Sequence, residues 1–72
     1  MNRADKIFEK INFHKNFEND EFAEFQYKEN PFKTILFIKD CKKIKLNSIE
    51  QIGLKRLQAI NKKCEELRWL DE

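Results

Sequence analysis

The residues that could perform chemistry in this 72-residue chain are few and lie far apart in the sequence. His14 is the only histidine, and the two cysteines are Cys41 and Cys64. A catalytic pair needs its nucleophile within hydrogen-bonding reach of a base, and nothing in this spacing brings His14 near either thiol. A lone histidine without clustered cysteines or carboxylates also supplies too few ligands for a metal. We therefore expect a protein that binds a partner, with no catalytic residue, no metal and no cofactor.

The composition excludes further kinds of site. A single glycine, Gly53, rules out the glycine-rich loops that hold nucleotide phosphates. Two cysteines are too few for a disulfide framework, so free thiols in a reducing compartment are expected. The longest apolar run, residues 35–38, is too short to span a bilayer, and the opening residues lack a secretory signal. These features predict one domain over residues 1–72, located in the cytoplasm and away from membranes.

Charge is distributed unevenly along the chain. Residues 39–63 contain eight cations and two acids, whereas residues 1–30 contain five cations and seven acids. Such asymmetry can steer encounters with a charged partner. The basic segment could contact phosphates, but the strand segment 32–37 lacks the glycines that accompany aromatic residues in RNA-binding strands. Nucleic acid is therefore an alternative partner and not the first expectation.

The predicted partner surface is a ridge on the outer side of the C-terminal helix. Lys55, Lys62 and Trp69 follow one another at seven-residue intervals, which places them at nearly the same angle on a helix. The tryptophan would supply buried area, and the lysines would favour an acidic neighbour. Lys42 and Lys43, in the turn ahead of the last predicted strand, complete the candidate contacts. If the helix instead frays before Trp69, the ring folds back onto the core.

Two helices and four strands are predicted to position these residues. The first helix is predicted from the helical spacing of four apolar residues, Ala4, Ile7, Phe8 and Ile11. An asparagine stands at each end of this segment, Asn2 before it and Asn12 after it, where amide side chains are common. Period-two segments separated by turn residues then predict four strands, at residues 13–17, 22–28, 32–39 and 44–46. In the first strand, Phe13, Lys15 and Phe17 are expected to share one face.

The long C-terminal helix is predicted to begin with a capping box formed by Ser48 and Gln51. Its apolar stripe contains Ile49, Gly53, Leu57, Ile60, Cys64 and Leu67. Leu57, Ile60 and Leu67 are expected to anchor the core, and Gly53 to let the helix approach the sheet closely. The predicted fold is α+β, a two-layer sandwich with both helices on one face of a three- or four-stranded antiparallel sheet.

The chain resembles a group of short proteins encoded by phages and prophages of low-GC Gram-positive bacteria. Two segments carry the resemblance, IFEKINF at residues 7–13 and LQAINKKCEELRWL at residues 57–70. The group usually has glycine at the places of Asn12 and Arg68. The departure at Arg68 matters because glycine would end the helix there, whereas arginine permits it to continue.

This resemblance implies a biological context and no particular chemistry. Small phage-encoded domains often act by occupying a surface of a host protein, as anti-CRISPR inhibitors of bacterial defence do. We therefore expect a host protein as the partner, in the cytoplasm of the host cell. The alternatives are a self-associating structural or regulatory phage protein, and a nucleic-acid-binding module that uses the basic segment 39–63.

Overall fold

The helical and alternating periodicities of the sequence correspond to six elements in the computed structural model, which describes residues 3–70. The elements are α1 (Arg3–Lys10), β1 (Phe13–Glu18), β2 (Phe22–Tyr27), β3 (Thr34–Ile38), β4 (Lys43–Asn47) and α2 (Leu54–Glu66). The four strands form one antiparallel sheet in the order β1-β2-β3-β4, as expected when neighbouring strands are joined by short turns. The predicted α+β class is confirmed. Asn2, predicted to cap α1, lies outside the described residues.

One face of the sheet and both helices enclose the core. Phe8 of α1 stacks on Phe25 of β2 with the ring centroids 3.9 Å apart, and it meets Phe37 of β3 edge-on at 6.3 Å. All three rings are fully buried, and each such burial contributes about 1.5–3 kcal/mol. Ala59 and Ile60 of α2 join the same cluster. Both helices therefore cover the same face, which we call the core face, and leave the opposite face of the sheet open.

The alternation of β1 breaks at Asn16. Between Lys15 and Phe17 the register with β2 shifts by one residue, so Asn16 is an extra residue of the β-bulge type. Successive side chains of a strand point to opposite faces. The extra residue therefore moves Phe17 to the open face, where it is 41% exposed, and brings Glu18 to the core face. The prediction that Phe17 shares a face with Phe13 is wrong for this reason.

The start of α2 also differs from the prediction. The helix begins at Leu54, and Ser48 has a φ of 57° in the left-handed region, whereas an N-cap residue needs extended backbone. Gly53 takes the N-cap position with φ −77° and ψ 172°. A Cβ atom on Gly53 would have nothing within 4 Å, so this glycine does not permit a close approach to the sheet. The predicted capping box and the predicted role of Gly53 are both wrong.

The inward face of α2 is rotated away from the predicted stripe. Its buried residues are Ala59, Ile60, Lys63 and Cys64. Leu57 is 54% exposed, so its predicted role as a core anchor is wrong, whereas Ile60 is buried as predicted and Leu67 packs at the core margin. The rotation has a physical reason, because Glu18 on the core face gives Lys63 an ionic partner inside the fold.

The C-terminal end of α2 is closed by a reversal of the chain at Arg68, whose φ is 64°. The N–H of Arg68 donates to the carbonyl of Glu65, and the N–H of Trp69 donates to the carbonyl of Cys64. This is the Schellman pattern that usually ends in glycine. It turns the half-buried Trp69 back, with its ring centroid 6.0 Å from that of Phe37. The outward projection of Trp69 is therefore wrong, and the alternative of a ring folded back onto the core is confirmed.

Candidate functional site

A groove runs between α1 and α2, which lie antiparallel to each other. At one end, the backbone N–H of Ala4 donates to Oε2 of Glu66 at 2.8 Å. At the other end, Ile11 and Leu54 line a common depression. Three depressions of about 360, 230 and 620 Å³ share lining residues and therefore form one continuous groove along the pair of helices.

The groove is strongly cationic. Its charged lining residues are Arg3, Lys6, Lys10, Lys55, Arg56 and Lys62. Among residues 3–70, no carboxylate side chain lines any of the three depressions. Cations that share a concave surface add their potentials, and such a surface attracts anionic groups and speeds association with them. We call this surface the inter-helix groove.

Three acidic residues of the two helices are engaged away from the groove. Asp5 forms an ion pair with Lys15 of β1 at 2.9 Å, and Glu9 forms one with Lys28 at 2.5 Å. Glu66 accepts the backbone N–H bond described above, which places its negative charge at the positive end of the α1 dipole. These contacts keep three carboxylates away from the groove, and the groove cation Lys62 is paired with Glu65 at 3.3 Å.

Between the cations, the groove presents aliphatic side chains. Ile7 and Ile11 are half-buried against the core, and Leu54 is 69% exposed. An exposed leucine beside two partly covered isoleucines forms a strip that loses water when a partner covers it. The groove therefore offers two kinds of contact at once, an apolar strip and a positive rim.

The structure brings together only part of the predicted site. Lys55 and Lys62 both line the inter-helix groove, but Trp69 folds back toward the core, so the three residues do not form one ridge. Lys62 also forms an ion pair with Glu65 at 3.3 Å, one turn away on the same helix. Lys42 lies in the turn before β4 and Lys43 begins that strand, so neither lines the groove.

The basic segment 39–63 does not form one patch. Lys39 and Lys63 both bind Glu18 through their Nζ atoms. Lys55 lines the groove, whereas Lys45 belongs to the open face of the sheet opposite Leu36. The cations that cluster in sequence are thus divided among three places in the fold.

Lys39, Lys63 and Lys15 converge on Glu18 at the edge of the core. The Nζ of Lys63 lies 2.9 and 3.1 Å from the two carboxylate oxygens, that of Lys39 lies 2.9 Å from Oε2, and that of Lys15 lies 3.1 Å from Oε1. Burial by itself raises the pKa of Glu18, but the hydrogen bonds from Lys39, Lys63 and Lys15 outweigh it and lower the pKa to about 2. The hydrogen bond that Lys15 donates to Asp5 raises the pKa of Lys15. We call these residues the Glu18 cluster.

The candidate catalytic residues stay apart. His14 pairs with Gln26 on the open face, at the end of the sheet away from the turn that holds the exposed Cys41. Cys64 is buried on the core face, where desolvation raises its thiol pKa. Both thiols are free, as predicted. Within residues 3–70, no group of three or more histidine, cysteine, aspartate or glutamate residues could hold a metal ion.

Half of the groove was missed from the sequence. Arg3, Lys6 and Lys10 recur at spacings of three and four residues, which places them along one side of α1. That spacing was a usable signal. It was obscured because Asp5 and Glu9 lie between these cations and because the charges were summed over residues 1–30, which contain five cations and seven acids.

The fold and the groove together define a small α+β domain with a cationic, partly aliphatic groove between two antiparallel helices. Comparison with protein-family models, with curated proteins and with solved structures finds no match. Neither helix within residues 3–70 is long and apolar enough to cross a membrane.

Proposed function

We propose that this chain is a protein-binding domain that holds an acidic, amphipathic segment of its partner in the inter-helix groove. The observation that carries the proposal is the set of six cations around an aliphatic strip, without a carboxylate among the described lining residues. A segment with carboxylates flanking apolar side chains would match both the rim and the strip. Amphipathic helices dock into apolar grooves in this manner.

The aliphatic character of the strip favours a protein over a nucleic acid. Proteins that bind single-stranded nucleic acids place aromatic side chains beside their cations, so that bases stack on them. The apolar residues of this groove are Ile7, Ile11 and Leu54, which offer no stacking surface. The Arg56 guanidinium lies over the rings of Phe13 and Tyr27, 5.2 Å from each centroid, and thus covers them.

The resemblance to phage-encoded proteins suggests where such a partner would be found. A host protein with an acidic functional surface, such as a component of bacterial defence, would lose access to its own ligands when this domain covers that surface. In this proposal the chain acts as an inhibitor by occupancy. It needs no catalytic residue for that action.

The test compares two double variants with the same change in charge. Lys6→Glu with Lys55→Glu reverses the groove, and Lys42→Glu with Lys43→Glu reverses predicted contacts that lie outside it. The wild-type protein is used to capture a partner from a lysate of a low-GC Gram-positive bacterium, and the purified partner is then titrated with all three proteins. We expect the groove variant to lose at least ~10-fold in affinity while the control variant stays close to wild type.

Two outcomes would contradict the proposal. One is retention of affinity by the groove variant with loss in the control variant. The other is that the captured material is destroyed by nuclease and that its affinity for this chain falls steeply as salt is added. The ligand would then be a nucleic acid.

A further inference from the structure

The open face of the sheet carries an apolar centre that neither helix covers. Phe17 is 41% exposed there, and Phe22, Leu36 and Ile38 are half-buried beside it. The strand register places these residues in two neighbouring rows. One row runs across all four strands through Phe17, Glu24, Leu36 and Lys45, and the other runs through Phe22, Ile38 and Lys43.

The charges around this centre are divided by side. Lys43 and Lys45 project from β4 at one edge of the sheet. Glu24 lies on β2, on the same face, where its Oε1 accepts a hydrogen bond from Asn16 at 2.8 Å. The open face therefore carries the negative charge of Glu24 toward its β1–β2 side and two positive charges toward its β4 side, with apolar residues between them.

Such a face is complementary to itself. We infer that two copies of this chain associate through their open sheet faces, related by a two-fold axis that runs parallel to β3. This rotation exchanges the left and right sides of the face, so the acidic side of one copy meets the basic side of the other. Leu36 and Ile38 then pack against their own counterparts. Glu24 of each copy faces Lys45 of the second copy.

The charges also exclude the other in-plane two-fold arrangement. An axis perpendicular to the strands would place β4 over β4 of the second copy, and Lys43 and Lys45 would face lysines. Like charges placed opposite each other oppose association. The favoured arrangement keeps the strands of the two sheets nearly aligned, which is the common geometry of sheets that pack face to face.

This interface is separate from the inter-helix groove, because the groove residues lie on the helices that cover the other face. The dimer would therefore display two grooves on its outer sides. Each copy could still bind a partner of the proposed kind, and the inference does not depend on that function.

The experiment uses paired charge reversals and sedimentation over a range of protein concentrations. The wild-type chain is expected to sediment as a dimer at high concentration and as a monomer on dilution. Glu24→Lys alone and Lys45→Glu alone should each weaken dimerisation by at least ~10-fold, because each creates two like-charge contacts per dimer. An equimolar mixture of the two variants should dimerise again, since every contact then joins opposite charges.

Lys55→Glu is the matched control, because it makes the same charge change in the groove and should leave dimerisation unchanged. Circular dichroism of every variant confirms that it is folded. A wild-type chain that stays monomeric at all concentrations overturns the inference. A dimer that survives both single reversals, or a mixture that fails to recover, also overturns it, because the interface would then lie elsewhere.

Discussion

Glu18→Gln is expected to destabilise the domain because it leaves a buried cation without its counter-charge. The Lys63 side chain is only 2% exposed, and its Nζ contacts both oxygens of Glu18. Its other described contact is with the Phe25 ring, whose centroid lies 5.9 Å away. The variant would also leave Lys39 and Lys15 directed at the same neutral amide, and the Asp5 carboxylate, 2.9 Å from Lys15, would offset one of the three positive charges.

The magnitude follows from distance and solvent access. Two charges about 3 Å apart interact by about 5 kcal/mol at an effective dielectric constant near 20. The glutamine oxygen still accepts one hydrogen bond, and the Glu18 side chain is 22% exposed, so water partly replaces the lost charge. We therefore expect a loss of about 2–4 kcal/mol, somewhat less than the cost of breaking a fully buried pair. That is a large part of the stability of a small domain.

Urea denaturation at pH 7 measures the free energy of unfolding. Glu21→Gln is the matched control, because it removes the same charge from an exposed side chain in the adjacent turn. Combining Glu18→Gln with Lys63→Met should recover most of the loss, since the double variant has no buried unpaired ammonium. If Glu18→Gln and Glu21→Gln lose the same stability, the Glu18 cluster is not an energetic partner of the core and our reasoning fails.

Three further predictions concern acid, packing and the end of α2. Because the pKa of Glu18 is lowered from about 4.5 to about 2, its stabilisation is fully present above pH 4.5 and disappears as the pH falls toward 2. With allowance for solvent screening, the Glu18 contribution to stability should fall by about 1–2 kcal/mol over that interval, so acid unfolding followed by circular dichroism should cost Glu18→Gln that much less than the wild-type chain. In urea denaturation, Ile60→Ala should lower the free energy of unfolding by about 2–4 kcal/mol, whereas Leu57→Ala should lower it by less than about 1 kcal/mol. Equal losses would contradict the assignment of the inward face of α2. Arg68→Gly should raise stability by about 0.5–1 kcal/mol because it relieves a left-handed φ, and a lower melting temperature would contradict this.

The sequence predicted the elements well because hydrophobic periodicity depends on local geometry. Helical spacing at Ala4 and Phe8 and alternation in β2 and β3 led to the observed helix and strands. Asn12 was expected to follow the first helix, and its φ of 71° gives it the left-handed conformation that is common where a helix ends. These signals are repeated over several residues, so a single exception does not hide them.

The errors arose where one residue decides the outcome. A bulge at Asn16 cannot be recognised from alternation, because the pattern on either side of it still appears regular. Arg68 was expected to continue α2, but packing of Trp69 against Phe37 accompanies the left-handed conformation that arginine normally avoids. Tertiary contacts overcame local preference in that case.

The inter-helix groove was half predicted for a similar reason. Lys55 and Lys62 belong to one helix, and their spacing shows that they share a side. Their position opposite Lys6 and Lys10 depends on how α1 packs against α2. The periodicities of two segments that are distant in the sequence do not specify this packing. The apolar strip was hidden as well, because Ile7 and Ile11 belong to the apolar stripe of the first helix, and such a stripe normally faces the core.

The bulge at Asn16 bears on how this chain can change length over evolution. Insertions in the turns at either end of β1 would add only loop, and loops tolerate such changes at a small entropic cost. Loss of Asn16 would instead exchange the faces of Phe17 and Glu18, bringing a ring into the ionic end of the core and a carboxylate onto the open face. We therefore expect related chains to vary in length at the turns and to keep the residue count within β1.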